Sequence, residues 1–145
     1  MKVLLAIDDS HFSQTARDTL AAQFRPEDTE VRILHVVEPF AISAPPEMAS
    51  GYNPELGDQM KAGQKLVERA AELLRAAGFQ ATSLVEQGDP RITILDQAAA
   101  WPSDLIVVGS QGRKGLKRFL LGSVSDTVAR HAHCSVEIVR NSQRH

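Results

Sequence analysis

Hydrophobic residues in this chain form short continuous runs that alternate with longer segments of helical periodicity. Continuous apolar runs predict buried strands at 2–8 and 105–108, and further stretches predict strands at 31–37, at 79–86, which is the weaker one, and at 136–139. Between them, apolar residues recur three and four positions apart and predict helices at 11–24, at 58–77, from 90 to about 100, and at 123–131. Strand and helix alternate throughout, which favours an α/β fold, a doubly wound parallel sheet with helices on both faces.

The predicted helices have recognisable ends and inner faces. Ser10 or Asp9 is suited to cap the first helix. Gly78 is suited to end the second helix, and the pair Asp89-Pro90 to begin the third. The residues predicted to face the core from the second and third helices are Met60, Leu66, Val67, Ala70, Leu73, Leu74, Ile92, Leu95, Ala98 and Ala99.

The segment 38–57 interrupts this regular pattern. It carries four prolines and no periodic spacing of apolar residues. Long connections in compact domains are commonly binding loops or lids. We therefore expect a surface excursion, and its position after the second strand suits a flap over a ligand.

The stretch 104–126 carries the strongest chemical signal. A buried strand is followed by a basic loop rich in glycine, which includes Gly109, Gly112 and Gly122, and a new helix begins near Ser123. Glycine can adopt a positive φ and lets backbone N–H groups approach an anion closely. The first turn of a helix adds free N–H groups and a favourable dipole. The stretch is therefore suited to hold a phosphate-bearing ligand.

The spacing of the glycines differs from that of the common phosphate loops. Gly109, Gly112 and Gly115 fail the dinucleotide pattern G-x-G-x-x-G, and the chain has no G-x-x-x-x-G-K-[ST]. What it has is G-x2-G-x9-G-S, which runs from Gly109 to Ser123. This pattern, within V-V-G-S-Q-G and L-L-G-S-V-S, resembles the ATP-binding signature of the universal stress protein family. The resemblance extends over essentially the whole chain.

The resemblance implies a strand order of 3-2-1-4-5 and assigns roles by position. It implies that the phosphates and ribose are held, mostly by backbone groups and the Ser123 hydroxyl, at Val108, Gly109, Gly112, Gly122, Ser123 and Val124. It implies that Ala6 and Asp8 line the nucleoside end and that Val36 closes the adenine side. The implied ligand is ATP, with Mg²⁺ or Mn²⁺ accompanying its triphosphate.

In that order the first and fourth strands are neighbours, so Asp8 and Gly109 should face one crevice at the carboxyl ends of the strands. Two residues keep alternative interpretations. Asp8 is either a nucleoside contact or a cap for the next helix. Arg113 is either a partner of the triphosphate or part of a solvated basic loop.

The acidic pair Asp8-Asp9 also permits a second assignment, because V-L-L-A-I-D-D-S resembles the opening of a response-regulator receiver domain. Receiver domains add a phosphoacceptor aspartate at the end of the third strand and a lysine at the end of the fifth. Here those strands end at Glu86-Gln87 and Val139-Arg140. Both required residues are missing, which argues against a receiver domain.

Composition indicates one globular domain, 1–145. The chain is 43% hydrophobic, and no apolar run approaches the roughly 18 residues of a membrane span. The N-terminus reaches acidic residues too early for a signal peptide, and the single cysteine, Cys134, fits a reducing compartment. A net charge of −2 gives no support for nucleic acid or an acidic membrane as a partner. We therefore expect a cytoplasmic protein.

Signals for catalysis are few. The chain has no G-x-S-x-G elbow, and nothing in the spacing selects Asp8, Asp9 or His11 to orient a hydrolytic water. The cluster His131-Ala132-His133-Cys134 lacks a second pair at zinc spacing and is interpreted as a helix end. His11 and His35 are isolated and are interpreted as structural.

We therefore expect a cytoplasmic ATP-binding module with a regulatory role in the stress response and at most slow hydrolysis of ATP. The alternatives are a true ATPase or nucleotidyl-transferring enzyme, and an interaction module that binds no nucleotide. The resemblance further implies a homodimer through the last strand, Val136–Val139, although Ser135 and Glu137 depart from the usual family pattern there.

Overall fold

The computed structural model describes residues 1–39, 54–111 and 121–140. Among these residues, five strands alternate with four helices. The strands are β1 Lys2–Ala6, β2 Glu30–Val37, β3 Gln80–Gln87, β4 Leu105–Gly109 and β5 Ser135–Val139. The helices are α1 His11–Gln23, α2 Pro54–Ala76, α3 Pro90–Ala100 and α4 Ser123–His131, and a short 3-10 turn at Pro26–Asp28 joins α1 to β2.

The strands form one parallel sheet with the order β3-β2-β1-β4-β5. This order confirms the predicted doubly wound fold, and it differs from the 2-1-3-4-5 order of receiver domains. β1 lies between β2 and β4, and Leu5 is paired with Ile33 on one side and Val107 on the other. Ligands in such sheets bind beside the carboxyl ends of the strands where the winding reverses, which here is the boundary between β1 and β4.

The sheet buries apolar side chains on both faces, which explains why its central strands, β1 and β4, are continuously apolar rather than alternating. One face, called the α1–α2 face, packs against Leu20 of α1 and Leu74 of α2. The opposite face, called the α3–α4 face, packs against Ile94 of α3 and Val128 of α4. Two hydrophobic layers therefore hold the sheet between pairs of helices and fix the positions of its strand ends.

The helix ends follow their predicted caps. The Ser10 hydroxyl accepts a hydrogen bond from the Ser13 N–H at 3.4 Å at the start of α1. Asp89 accepts one from the Arg91 N–H at 3.0 Å before α3. After α2, Gly78 has a φ of 98°, the left-handed conformation that commonly ends a helix.

Helix α2 differs from the sequence-based expectation in its start and in one core residue. It begins at Pro54 rather than at Asp58, because proline is tolerated in the first turn of a helix. Its Leu73 was predicted to face the core but is 43% exposed. At 23 residues α2 is long, yet neither it nor any other helix in the described part of the chain is apolar enough to cross a bilayer.

Helix α3 presents a different side to the core than predicted. Ile92 is 59% exposed, and Ala99 is also exposed, so these two of the four predicted core positions are wrong, whereas Ala98 is buried and Leu95 is partly buried as predicted. The buried stripe instead runs through Ile94, Ala98 and Trp101. These positions are four and three residues apart, as expected for one side of a helix.

Candidate functional site

The carboxyl ends of β1 and β4 lie side by side at one edge of the sheet. Ala6 is paired with Val108 across the two strands. Asp8 lies two residues beyond Ala6, and Gly109, the last residue of β4, is paired with Val139 of β5. The sheet therefore brings together the two segments that the sequence analysis expected to share a crevice.

Asp8 is held by the start of α1. Its Oδ1 accepts hydrogen bonds from the Ser10 N–H at 2.8 Å and from the Ser13 hydroxyl at 2.9 Å. Its own N–H donates to the Ser13 hydroxyl oxygen at 2.7 Å. Of the two interpretations of Asp8, these contacts match the structural one, in which the carboxylate supports the next helix. They also give the carboxylate a fixed position at the edge of the sheet.

Three of the apolar residues expected near the ligand belong to the α3–α4 face. Ala6 and Val36 are partly buried there, whereas Val108 is only 3% exposed. Ala6 is paired with Leu34, and Val36 lies two residues beyond Leu34, so Ala6 and Val36 project from the same face of neighbouring strands. Ala6 and Val36 can offer side-chain surface to a ligand, whereas Val108 can offer only backbone atoms.

Gly109 is needed for the packing of α1 against β4. A Cβ at this position would lie 3.0 Å from the Phe12 Cβ and 3.1 Å from the Phe12 carbonyl oxygen. Positive φ occurs among the described glycines at Gly78 and Gly88 alone, and Gly122 has a φ of −66°. Neither Gly109 nor Gly122 therefore uses the positive φ that glycine permits. Gly109 is required because two backbones approach closely.

The two ends of the glycine-rich loop are joined by a set of hydrogen bonds that we call the loop junction, formed by Ser110, Gly122 and Ser125. The Ser110 carbonyl oxygen accepts from the Gly122 N–H at 2.8 Å and from the Ser125 hydroxyl at 2.9 Å. The Ser110 N–H donates to the Val139 carbonyl oxygen at 2.8 Å, which anchors the loop junction to β5. The Gly122 N–H therefore serves to close the loop.

Sequence reasoning did not find the loop junction. Ser110 and Ser125 are buried, at 8% and 2% exposed, and a buried hydroxyl needs a hydrogen-bond partner. The sequence offers one signal for Ser125, which is its place in the first turn of a predicted helix, where serine hydroxyls commonly bond to backbone groups. The partner of Ser125 is fifteen residues away and becomes apparent only in the fold.

Helix α4 begins with backbone amides that no side chain of the described residues caps. Gly122 precedes the helix, and its carbonyl oxygen accepts from the Asp126 N–H at 3.0 Å. Ser123 is exposed and Val124 is partly buried. Within the described ranges, the N–H groups of Ser123 and Val124 have no hydrogen-bond acceptor. A helix start of this kind favours an anion.

Some of the expected site lies outside the described residues. This holds for Gly112 and Arg113, for the rest of the basic loop, and for most of the proline-rich excursion. Their assignments stay predictions. The part of the site that the structure describes consists of the strand ends, the loop junction and the first turn of α4.

The cluster after α4 has the arrangement expected of a helix end. His131 is the last residue of α4, and Cys134 directly precedes β5. Burial raises the pKa of the Cys134 thiol because the thiolate loses hydration, and the nearby Asp104 carboxylate adds a smaller effect. Because the raised pKa leaves little thiolate, Cys134 is a poor nucleophile at neutral pH. The described residues contain no group of three or more His, Cys, Asp or Glu side chains that could hold a metal ion.

Comparison with known proteins gives close matches over the full length. The model of the universal stress protein family matches residues 1–140. Universal stress protein YxiE of Bacillus subtilis is 36% identical over 145 residues, covering 96% of this chain and 98% of YxiE. Among solved structures, hypothetical protein MJ0577 has a TM-score of 0.85 at 26% identity, covering 99% of this chain and 97% of that protein.

Two further solved structures of the same fold contain nucleotides. The universal stress protein family protein At3g01520 of Arabidopsis thaliana, with AMP bound, has a TM-score of 0.70 at 23% identity, covering 98% of this chain and 93% of its own. A universal stress protein in complex with cAMP has a TM-score of 0.72 at 24% identity, covering 98% of each chain. The family model spans nearly every residue, and the Bacillus relative is similar from end to end. This chain belongs to the universal stress protein family.

Proposed function

We propose that this chain binds an adenine nucleotide at the carboxyl ends of β1 and β4, with ATP and a Mg²⁺ or Mn²⁺ ion as the physiological ligand. The observation that carries the proposal is the start of α4, which no side chain in the described ranges caps. The loop junction attaches this helix start to the residue that follows β4, so its amides lie at the same sheet edge as Asp8. The AMP and cAMP complexes of relatives with this fold support an adenine nucleotide.

The phosphates suit the first turn of α4. The N–H groups of Ser123 and Val124 and the exposed Ser123 hydroxyl are donors without a described acceptor, and phosphate oxygens are strong acceptors. Gly112 and Arg113 are proposed to complete the phosphate site from the loop. Mg²⁺ or Mn²⁺ would take most of its ligands from phosphate oxygens and water, as is usual for metal ions bound with nucleotides.

The nucleoside suits the other end of the same edge. Ala6 and Val36 offer partly exposed apolar surface to a base. Asp8, which is already fixed by Ser10 and Ser13, is placed to accept hydrogen bonds from ribose hydroxyls. An apolar slot with one polar group at its end is the general form of a small-molecule site.

We infer that the protein works in the cytoplasm as a regulatory module in the stress response. In this role nucleotide occupancy changes the shape of the domain or its choice of partner. Hydrolysis of ATP at a slow rate is compatible with this role. Sustained release of phosphate by the purified protein would instead favour an ATPase.

We propose that two copies associate through β5, the terminal strand of the sheet. Val139 directs its backbone groups towards β4, because its carbonyl accepts from Ser110. Successive residues of a strand direct these groups to opposite sides, so Val136 and Ile138 direct theirs to the outer edge. Glu137 and Val139 are two residues apart, so the Glu137 side chain points to the α1–α2 face, to which Val139 belongs. The Glu137 charge therefore lies outside the plane in which a second strand would pair.

The nucleotide proposal is tested with a substitution that removes one amide donor. Ser123→Pro should preserve α4, because proline is favoured at the first helical position. Gly122 already has the extended conformation that is required before proline, with φ −66° and ψ 160°. Ser123→Ala, which keeps the N–H, is the matched control. Ser123→Pro should bind ATP about tenfold more weakly than Ser123→Ala in isothermal titration calorimetry.

Two outcomes would contradict the proposal. Equal ATP affinity of the wild type, Ser123→Ala and Ser123→Pro would exclude the start of α4 as the phosphate site. Wild-type protein that shows no heat of binding with millimolar ATP and Mg²⁺, and that releases no nucleotide on denaturation as judged by mass spectrometry, would exclude nucleotide binding altogether.

A further inference from the structure

The backbone of the first strand is held by a side chain at the point where it leaves the sheet. The ladder between β1 and β2 ends at the pair Ala6 and Leu34. The next residue, Ile7, still donates its N–H to the Leu34 carbonyl oxygen at 2.9 Å. Its own carbonyl oxygen accepts from the Nδ1 of His35 at 2.8 Å. A carbonyl can only accept, so the Nδ1 of His35 is the donor in this hydrogen bond.

We propose that His35 is a positioning residue for the nucleotide site, which acts by orienting the peptide group between Ile7 and Asp8. The inference rests on the proposed function in that Asp8 is its assigned nucleoside contact. A peptide group is planar and rigid, so the Ile7 carbonyl and the Asp8 N–H turn together. The carbonyl is held by His35, and the N–H by the Ser13 hydroxyl at 2.7 Å. The plane is thus fixed from both of its polar sides.

The His35 ring is itself held in place by α2. A Cβ at Gly63 of α2 would lie 2.9 Å from the His35 Cδ2 and 3.3 Å from a methyl group of Val85. The backbone of α2 therefore packs directly against the imidazole, and only glycine allows this approach. A chain of contacts runs from Gly63 through His35 to the peptide that precedes Asp8.

Replacement of His35 can distinguish a positioning role from a purely structural one. A histidine that only satisfied a buried carbonyl would affect the stability of the whole domain when replaced. His35 should in addition control the local order of the Asp8 segment, because the hydrogen bonds of Asp8 to Ser10 and Ser13 depend on the orientation of the same peptide.

The first experiment measures amide hydrogen exchange by NMR without any ligand. In His35→Leu, the exchange protection of the Asp8 and Ser10 amides should fall about tenfold more than in Val31→Ala, after correction for global stability. Val31 is buried at the opposite end of the same strand and is the matched control. His35→Asn should restore most of the protection, because its amide nitrogen can replace Nδ1 as a donor. Equal protection in His35→Leu and Val31→Ala would overturn the inference.

The second experiment compares the affinity for ATP with that for inorganic tripolyphosphate. His35→Leu should weaken ATP binding about tenfold and leave tripolyphosphate binding unchanged, because Asp8 is assigned to the nucleoside. Gly63→Ala, which forces the imidazole to move, should have the same selective effect. In an Asp8→Ala background, His35→Leu should cause no further loss. An equal loss for ATP and tripolyphosphate would overturn the inference.

The two experiments separate this inference from the proposed function. If the wild type binds neither ligand, the proposed function fails, whereas the amide exchange still decides whether His35 orients the Asp8 segment. If the wild type binds ATP and His35→Leu binds it equally well, the proposed function stands and the positioning role fails.

Discussion

At the scale of single residues, two glycines act by the side chain that they lack. Gly109 lets the first turn of α1 approach β4, and Gly63 lets α2 lie against His35. Neither glycine has a positive φ, so each is required by the closeness of a neighbour rather than by its backbone conformation. Substitution at either position therefore tests how closely the neighbouring residue must approach, which is Phe12 for Gly109 and His35 for Gly63.

Gly109→Ala should lower the free energy of unfolding by about 1–3 kcal/mol, because the new Cβ would meet the Phe12 backbone and force α1 away from β4. Urea denaturation measures the change. Gly57→Ala is the control, since among the described residues no atom beyond the adjoining backbone of α2 lies within 4 Å of a Cβ at that position. It should raise the free energy of unfolding by about 0.5–1 kcal/mol. Wild-type stability in Gly109→Ala would show that β4 and α1 separate without cost.

Residues whose roles depend on nearby sequence were predicted correctly, and those whose roles depend on distant partners were not. Ser10, Gly78 and Asp89 act on helix ends within a few positions of themselves, so their patterns are visible in the chain. Gly109 was singled out, but for the wrong physical reason, because its neighbour Phe12 comes from the other end of the sequence. Ser110 was not singled out at all.

At the scale of elements, the start of α3 combines a cap with an ion pair. Asp89 accepts a hydrogen bond from the Arg91 N–H through Oδ1 and pairs with the Arg91 guanidinium at 2.7 Å through Oδ2. The pKa of Asp89 lies below its ordinary value, chiefly because of the hydrogen bonds from the Arg91 side chain. The carboxylate is partly exposed, so solvent weakens this interaction.

The stabilising effect of Asp89 should therefore depend on pH. A carboxylate whose pKa is lowered by folding stabilises the protein above its unfolded pKa, and this contribution disappears as the pH falls through the folded pKa. Asp89→Asn keeps a capping group without the charge, so the difference in unfolding free energy from the wild type should shrink below about pH 4. Chemical denaturation from neutral to acidic pH measures the difference. A constant difference over this range would contradict the assignment.

The strands were predicted to within about two residues, because each is a short apolar stretch bounded by turn or helix-start residues, a pattern typical of strands in a parallel sheet. The face of α3 was not predictable in the same way. Its apolar residues include both isoleucines and several alanines, which form two overlapping stripes of nearly equal quality. Ala98 was predicted correctly, but only the packing against the sheet selects Ile94 over Ile92 and Ala99.

At the scale of the whole molecule, the amino and carboxyl ends of the parallel strands differ in character. At the amino ends, the Lys2 N–H donates to the Asp104 carboxylate at 2.8 Å. The Trp101 ring there lies 5.3 Å from the Lys2 ammonium and 4.6 Å from the Arg32 guanidinium. These cation–π contacts stabilise the domain at the edge remote from the candidate site. The carboxyl edge carries the polar groups that a ligand can contact.

Association through β5 should depend on its outward backbone N–H groups. Val136→Pro removes one of them and should leave the protein monomeric, because proline cannot donate and is tolerated on an edge strand. Val136→Ala is the control that loses similar packing but keeps the N–H, and it should be dimeric, as proposed for the wild type. Sedimentation velocity measures the assembly state, and circular dichroism checks that each variant is folded. A dimeric Val136→Pro would place the interface elsewhere.

The loop junction bears on the exchange of loops between relatives. Because the Ser110 carbonyl unites both borders of the glycine-rich loop, the intervening segment can vary without displacing β4 or α4. In general, doubling the length of a loop whose ends are held together costs only about 0.6 kcal/mol of closure entropy. A segment transplanted from a relative should therefore leave β4 and α4 in place as long as the Ser125 hydroxyl and the Gly122 N–H can still donate to the carbonyl of residue 110.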